Sequence, residues 1–338
     1  MHTNPVLAQA LRGGIVESAH RGAWAVVDAD GHLHSSAGDI ERPIFPRSAV
    51  KVLQALPLVE SGAAERFGLS DQQLAIACAS HGGEPAHVAT ASAMLAQAGV
   101  DLQALECGAH WPYRDVTQRE MAARGDTPTA LHNNCSGKHA GFVCLGCHLA
   151  GDGERRAFLS GYVKPGHPVM REVTAALQAA TGFDLEHTAV GTDGCSIPTY
   201  AIPLRHLALA FARVATGQGL RPGHAAAAKR LRAAVAQAPF MVAGSGRFDT
   251  RVMERLGARV FCKVGAEAVY CAALPEAGLG VAIKMDDGNT ARGAEVVMAA
   301  LIARLLRLDG AERQFIDGFA NQALHNWNGL EVGRLRAA

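Results

Sequence analysis

The chain of 338 residues lacks a long hydrophobic run: its longest apolar stretch, Val296 to Leu306, is interrupted by Arg304. Crossing a bilayer takes ~20 apolar residues, so no membrane-spanning segment and no membrane partner are expected. It also lacks a dominant charge. Thirty-two basic groups against 31 acidic ones leave a net charge of +1, which offers no general attraction to nucleic acid. The N-terminal stretch MHTNPVLAQALRGG has neither a basic leader before an apolar run nor a small-residue cleavage site, so the expected location is cytoplasmic. Charge runs, low-complexity tracts and solenoid-length repeats are missing too, which excludes fibrous and repeat architectures. What remains is an ordinary globular composition, 49% hydrophobic and 19% charged, in a chain about two domains long.

Lysine is the scarcest charged residue. Only six of the 32 basic residues are lysines (Lys51, Lys138, Lys164, Lys229, Lys263 and Lys284), and the other 26 are arginines. An arginine keeps its proton at any working pH, whereas a desolvated or crowded lysine gives it up. Each lysine therefore has to be weighed as a possible base. The eight cysteines are scattered in no disulfide-framework pattern, and in a cytoplasmic chain they read as thiols, metal ligands or catalytic groups. Cys144 and Cys147 form a Cys-x-x-Cys inside an apolar helical pattern and read as core.

From Gly14 to Leu33 the pattern predicts a hairpin turning at Asp30-Gly31. Ser48 to Leu56 predicts a helix stopped by Pro57, with Ser48 at its start. Helices are expected over 86–98, 140–149, 169–181, 206–216 and 224–237, and strands over 259–264, 268–273 and 280–285, with a closing helix over 291–306. Strands at both ends of the chain and helices between them predict an α+β fold, a single catalytic unit over residues 1–338. Its antiparallel sheet would come from about residues 1–60 and 255–338, and its helix-rich lobe from about 61–254.

Four constellations carry chemistry. Ser48-Ala49-Val50-Lys51 places a hydroxyl and an amine three residues apart, on one helix face, which suits a nucleophile and its general base. It is the sole Ser-x-x-Lys in the chain. The bland alternative is a capping serine followed by a surface lysine. Lys263-Val264-Gly265 lies on an expected strand, and Lys-[Thr/Ser]-Gly late in the chain accompanies Ser-x-x-Lys in serine β-lactamases and penicillin-binding proteins; here valine replaces the hydroxyl residue. A second cation facing the same pocket would favour the neutral amine that a base must be. Ser80-His81-Gly82-Gly83 ends an apolar run in a glycine turn, where Ser80 can relay a proton or act as nucleophile and His81 reads as structural. Finally, His132 to His139 and Thr192 to Cys195 gather thiols, an amine and imidazoles suited to zinc.

At these residues the chain resembles the Rhizobium etli-type class of L-asparaginases. The resemblance runs through PRSAVKVLQALPLVESGAA, ACASHGGEP, LHNNCSGKHAGF, GTDGCSIP, MVAGSGRFDT and MDDGNTARG, and covers nearly the whole chain. It implies a serine β-lactamase/glutaminase-like fold, two Ser-Lys pairs falling on Ser48 with Lys51 and Ser80 with Lys263, and a homodimer. It further implies one zinc ion held by Cys135, Lys138 and Cys195, with Asp193 nearby. The reaction implied is hydrolysis of the small-molecule substrate L-asparagine through an acyl-enzyme on Ser48. Arg47, Arg247, Asp249, Asp286 and Asp287 are the candidates for its α-amino and α-carboxyl groups. A β-lactamase, transpeptidase or glutaminase shares the Ser-Lys logic, and a non-enzymatic zinc or thiol protein would explain the cysteines alone.

Overall fold

The expected turn forms because Asp28 organises it: its Oδ1 accepts the Asp30 and His32 N–H groups at 3.0 Å each, and Gly31 takes a φ of 90° that a side chain would resist. In the computed structural model, which describes residues 3–151 and 153–338, strands follow on both sides of this turn. Met1 and His2 of the N-terminal stretch lie outside the described residues.

Among the described residues, eight strands build the main sheet. They are β1 (Val6–Arg12), β2 (Ile15–Asp28), β3 (Leu33–Ala37), β4 (Phe261–Gly265), β5 (Val269–Leu274), β6 (Leu279–Met285), β7 (Asn321–His325) and β8 (Glu331–Ala337). All pairings are antiparallel, in the order β7-β8-β1-β2-β6-β5-β4, with β3 also on β2. The fold is α+β, with a sheet drawn from both chain ends. Long β2 changes partners along its length: Ile15 to Arg21 face β1 and Gly22 to Asp28 face β6. Apart from Lys284, every residue of β4, β5 and β6 is buried. Since successive side chains point to opposite faces, both faces of this part of the sheet are covered.

Contacts divide the chain into two units. The sheet unit is Met1–Ala49, Ile202–Gln218 and Arg259–Ala338; the helical unit is Val50–Ala201 and Gly219–Ala258. The expected helical lobe over about 61–254 is therefore interrupted, because the Leu204–Thr216 helix belongs with the sheet. Its Ala208 and Ala212 lie one turn apart over Gly280 of β6, where small residues on both sides let backbone approach backbone. In the helical unit the Ser136–Leu149 helix is buried over twelve of its fourteen residues. Gly137 abuts the Ile76 carbonyl, Gly141 abuts Leu58 and Ala77, and Gly146 abuts Leu159 and Val169.

Two local expectations are corrected. Ser48 does not cap a continuous helix: Arg47–Val50 is a 3₁₀ turn, followed by short helices Lys51–Gln54 and Leu56–Glu60. Pro57 sits at the start of the second of these, where its missing N–H costs nothing, and is no stop. The β1 strand and the β7–β8 hairpin were not expected. Alternation in VLAQALR is masked by small residues, and β7–β8 is largely exposed, so neither leaves a strong apolar period.

Gly280→Ala should destabilise the protein by about 3 kcal/mol or more, because the new methyl meets the Ala208 carbonyl and Ala212 N–H rather than a side chain that can turn away. Gly310→Ala, at an open helix start, should be neutral or stabilising by up to about 1 kcal/mol. Urea unfolding of both variants checks this; equal midpoints would refute the close packing.

Candidate active site

In the sheet unit, Ser48 lies on the 3₁₀ turn and is half-buried. Its predecessor Arg47 has a φ of 51°, a left-handed conformation that costs a non-glycine residue about 1–2 kcal/mol. The turn stands against the end of β4: a Cβ on Gly265 would come within 2.5 Å of the Pro46 carbonyl and 3.1 Å of the Ala49 nitrogen. Only glycine closes the Lys263-Val264-Gly265 tripeptide at this approach. Lys263 itself is fully buried on β4, opposite Cys271, and its amine donates to the Val264 carbonyl at 2.7 Å. Burial pushes the Cys271 thiol up, so this sulfur stays protonated.

The helical unit holds the other two expected catalytic residues. The Lys51 amine, 1% exposed, donates to the Ala79 carbonyl at 2.5 Å, to Ser80 Oγ at 3.0 Å and to Cys135 Sγ at 3.0 Å. It thus meets three buried partners, one of them a catalytic candidate. Ser80 is placed by the Asp71–Ala77 helix, which begins in a Ser70/Gln73 capping box and ends just before it. The Ser80 N–H bonds the Val242 carbonyl at 2.9 Å.

Next to Lys51 lies the sulfur cluster. Asn133 aligns it by donating to the Cys107 carbonyl and accepting the Cys135 N–H, each at 2.8 Å. The Lys138 amine donates to Cys195 Sγ at 3.0 Å and lies 5.4 Å from the centre of the Phe142 ring. Cys195 hydrogen-bonds Cys135, which, with Lys51 and Lys138 nearby, outweighs burial and holds the Cys135 thiol well below its ordinary value. The same bond, reinforced by burial, pushes Cys195 up. Burial opposes the charge on Lys138, but Cys195 and Cys135 prevail and raise it. Asp193 Oδ2 is 3.8 Å from Cys195 Sγ, and Ser196 beyond it has a φ of 76°.

His81 is structural, as its sequence context suggests: its Nδ1 accepts the Gly83 N–H at 3.1 Å, and its Nε2 bonds Ser136 Oγ at 3.0 Å. Cys144 and Cys147 are buried core thiols, the former pushed by burial up to about 12.

The proposed substrate contacts fall in different places. Arg247, half-buried, precedes the Phe248–Leu256 helix, and Asp249 is buried in that helix's first turn. In the sheet unit, Asp286 accepts from Asn4 at 2.9 Å and Arg42 at 3.0 Å, and Asp287 bonds His20 at 2.5 Å. Burial opposes the Asp287 charge, but the Asn289 N–H and His20 hold its carboxyl below the usual range.

The sequence reading did not single out Glu84. Its buried carboxylate accepts from the Ser245 N–H at 2.8 Å, the Ser245 hydroxyl at 2.7 Å and Arg114 at 2.8 Å. It ties the segment carrying Ser80 to the one carrying Arg247. The available signal was a lone acid directly before the helix-starting Pro85.

Burial drives His81 well below its ordinary value, so it stays neutral in the folded protein. Below about pH 6.5 the unfolded chain binds a proton that the folded one refuses, and stability falls by up to about 1.4 kcal/mol per pH unit. His81→Asn should therefore lose less stability than the wild type between about pH 6.5 and 5, measured by urea unfolding. Parallel curves would exclude His81 as a source of acid lability.

Comparison with protein-family models matches residues 8–337 to the family described as L-asparaginase II. No curated protein matches. Among solved structures, the chain is similar to Mglu, with 16% identity and a TM-score of 0.38 over 86% of this chain and 68% of that one. The native form of Mglu gives 18% identity and a TM-score of 0.39 over 91% and 70%. A beta-lactamase from Mycobacterium bovis gives 14% and 0.40 over 84% and 95%. With the family match spanning nearly its whole length, this chain belongs to the L-asparaginase II family and is an amidohydrolase of that family.

Proposed function

We propose that the protein hydrolyses the side-chain amide of L-asparagine to L-aspartate and ammonia. Ser48 Oγ attacks the amide carbon as Lys51 takes its proton. Ser80, with Lys263, passes a proton to the nitrogen, the C–N bond breaks, and ammonia leaves a β-aspartyl ester on Ser48. Water then attacks the ester, freeing L-aspartate and returning the proton to Ser48. The oxyanion would be held by the Ser48 N–H and one N–H following Lys263. The observation that carries this reading is the buried Lys51 amine on the Ser80 hydroxyl at 3.0 Å, in a chain of this family.

Ser48→Ala should lower kcat by several orders of magnitude, because binding cannot replace a nucleophile. Lys51→Arg should be nearly as damaging as Lys51→Ala, since arginine keeps the charge but is no base. Ammonia release from L-asparagine, L-glutamine and β-aspartyl amides is the assay. More than a tenth of wild-type activity in Ser48→Ala would transfer the nucleophile role to Ser80, and no release from any amide by the wild type would end the reading.

Two sulfurs and an amine within hydrogen-bonding reach of one another, all buried, are a donor set that suits zinc. With the protons of both thiols and of the amine released on binding, Cys135, Lys138 and Cys195 would hold one ion, with Asp193 beside it. When bound, the ion would neutralise the thiolates and tie the 133–139 turn to the 191–198 loop. Cys135→Ala and Cys195→Ala, assayed with metal content on the same samples, should then raise KM more than they lower kcat. A metal-free variant with kcat as low as that of Ser48→Ala and unchanged KM would instead put the ion in the chemical step. A cytoplasmic homodimer is the assembly we propose for this enzyme.

A further inference from the structure

The loop from Gly108 to Arg114 carries two of the chain's exposed large aromatics, Trp111 and Tyr113. It is nevertheless tied down at several points. His110 Nε2 accepts the Asn134 N–H at 2.9 Å, one residue before Cys135. The Tyr113 N–H bonds the Gly82 carbonyl at 3.1 Å, two residues after Ser80. Arg114 bonds Glu84 at 2.8 Å, and Gln118 donates to the Pro112 carbonyl at 2.5 Å. Pro112 packs so closely on Gly83 that a Cβ there would lie 3.2 Å from its Cα. The Tyr113 ring stacks on His110, with centroids 4.8 Å apart, yet the residue is 55% exposed. No hydrogen bond to its hydroxyl is present among the described residues.

A surface aromatic with no need for such bracing would not be fixed by backbone bonds to two segments that carry catalytic and sulfur-cluster residues. A rigid, half-open ring with an available hydroxyl is what a binding site uses, since it gives contact area at little cost in conformational freedom. We propose that Tyr113 is a substrate-contacting residue that sets affinity and chain-length preference, its ring packing against the bound amino acid and its hydroxyl facing the α-amino-acid head group. The surroundings suit a zwitterion. Burial and the Cys135 and Asp193 charges raise the Tyr113 phenol, while Arg247 works the other way, so groups of both signs lie within electrostatic reach of the ring. Arg247 follows two residues after Ser245, which Glu84 holds, and is the cation we assign to the α-carboxylate.

This inference rests on the amide hydrolysis proposed above, and the experiment separates the two. kcat and KM for L-asparagine and L-glutamine are measured on the wild type, Tyr113→Phe and Tyr113→Ala, with L-asparagine binding followed by calorimetry and folding by thermal melting. Tyr113→Ala should raise KM for L-asparagine at least fivefold with kcat within threefold of wild type, and shrink the ratio of kcat/KM between the two amides. Tyr113→Phe, which keeps the ring, should restore the ratio and show a smaller rise in KM. An active wild type whose Tyr113→Ala variant melts normally and raises KM less than fivefold, or loses kcat alone, overturns the role of Tyr113 and leaves the hydrolysis standing. If the wild type binds L-asparagine without releasing ammonia, the hydrolysis falls, and the fivefold criterion is read from the binding constants. A wild type that does neither overturns both.

Discussion

One interaction gathers the polar interior of the helical unit, the pairing of two buried lysine amines with two sulfurs. A buried amine left without a hydrogen-bond partner costs a few kcal/mol, so neither Lys51 nor Lys138 can occupy its place without an acceptor. Cys135 and Cys195 supply the sulfurs, and the Ala79 carbonyl and Ser80 hydroxyl complete the set around Lys51. That requirement explains the uncommon features nearby: the Asn133 bridge that aligns Cys135, and the positive φ of Ser196 directly after Cys195. The strain is localised where two sulfurs must meet two amines.

Glycine makes the close approaches possible in both units. Gly137, Gly141 and Gly146 let a fourteen-residue helix sink among its neighbours and bury Lys138 on its first turn. Gly265 does the same at the end of β4, where the turn bearing Ser48 abuts the strand bearing Lys263. A side chain at either place would push apart segments that now pack backbone against neighbour.

The pairing of serines and lysines is richer than spacing alone implies. Lys51 stands three residues after Ser48 in the chain, but the hydroxyl its amine holds by hydrogen bond is that of Ser80. Glu84 adds a second level of organisation, because its buried carboxylate joins Ser245, Arg114 and its own helix start.

Much of this was legible in the sequence. The late strands, the long middle helices and the α+β class follow from apolar period, and the scarcity of lysine marks Lys51, Lys138 and Lys263. Short-range signals failed where exposure or small residues removed the period, as in β1 and β7–β8, and where Pro57 opened a helix instead of closing one. The roles of Glu84 and Tyr113 were not legible, since an isolated acid and an isolated tyrosine carry no pattern of their own. The sequence by itself determined which chemical groups the protein has and which local elements carry them, because periodicity and composition are properties of neighbouring residues. Only the tertiary structure decided that Lys51 would hold Ser80 and Cys135, and that residues 84, 114 and 245 would form one clamp. Those partners are remote in the chain, and what brings them together is the burial of charge that must find an acceptor wherever the fold supplies one.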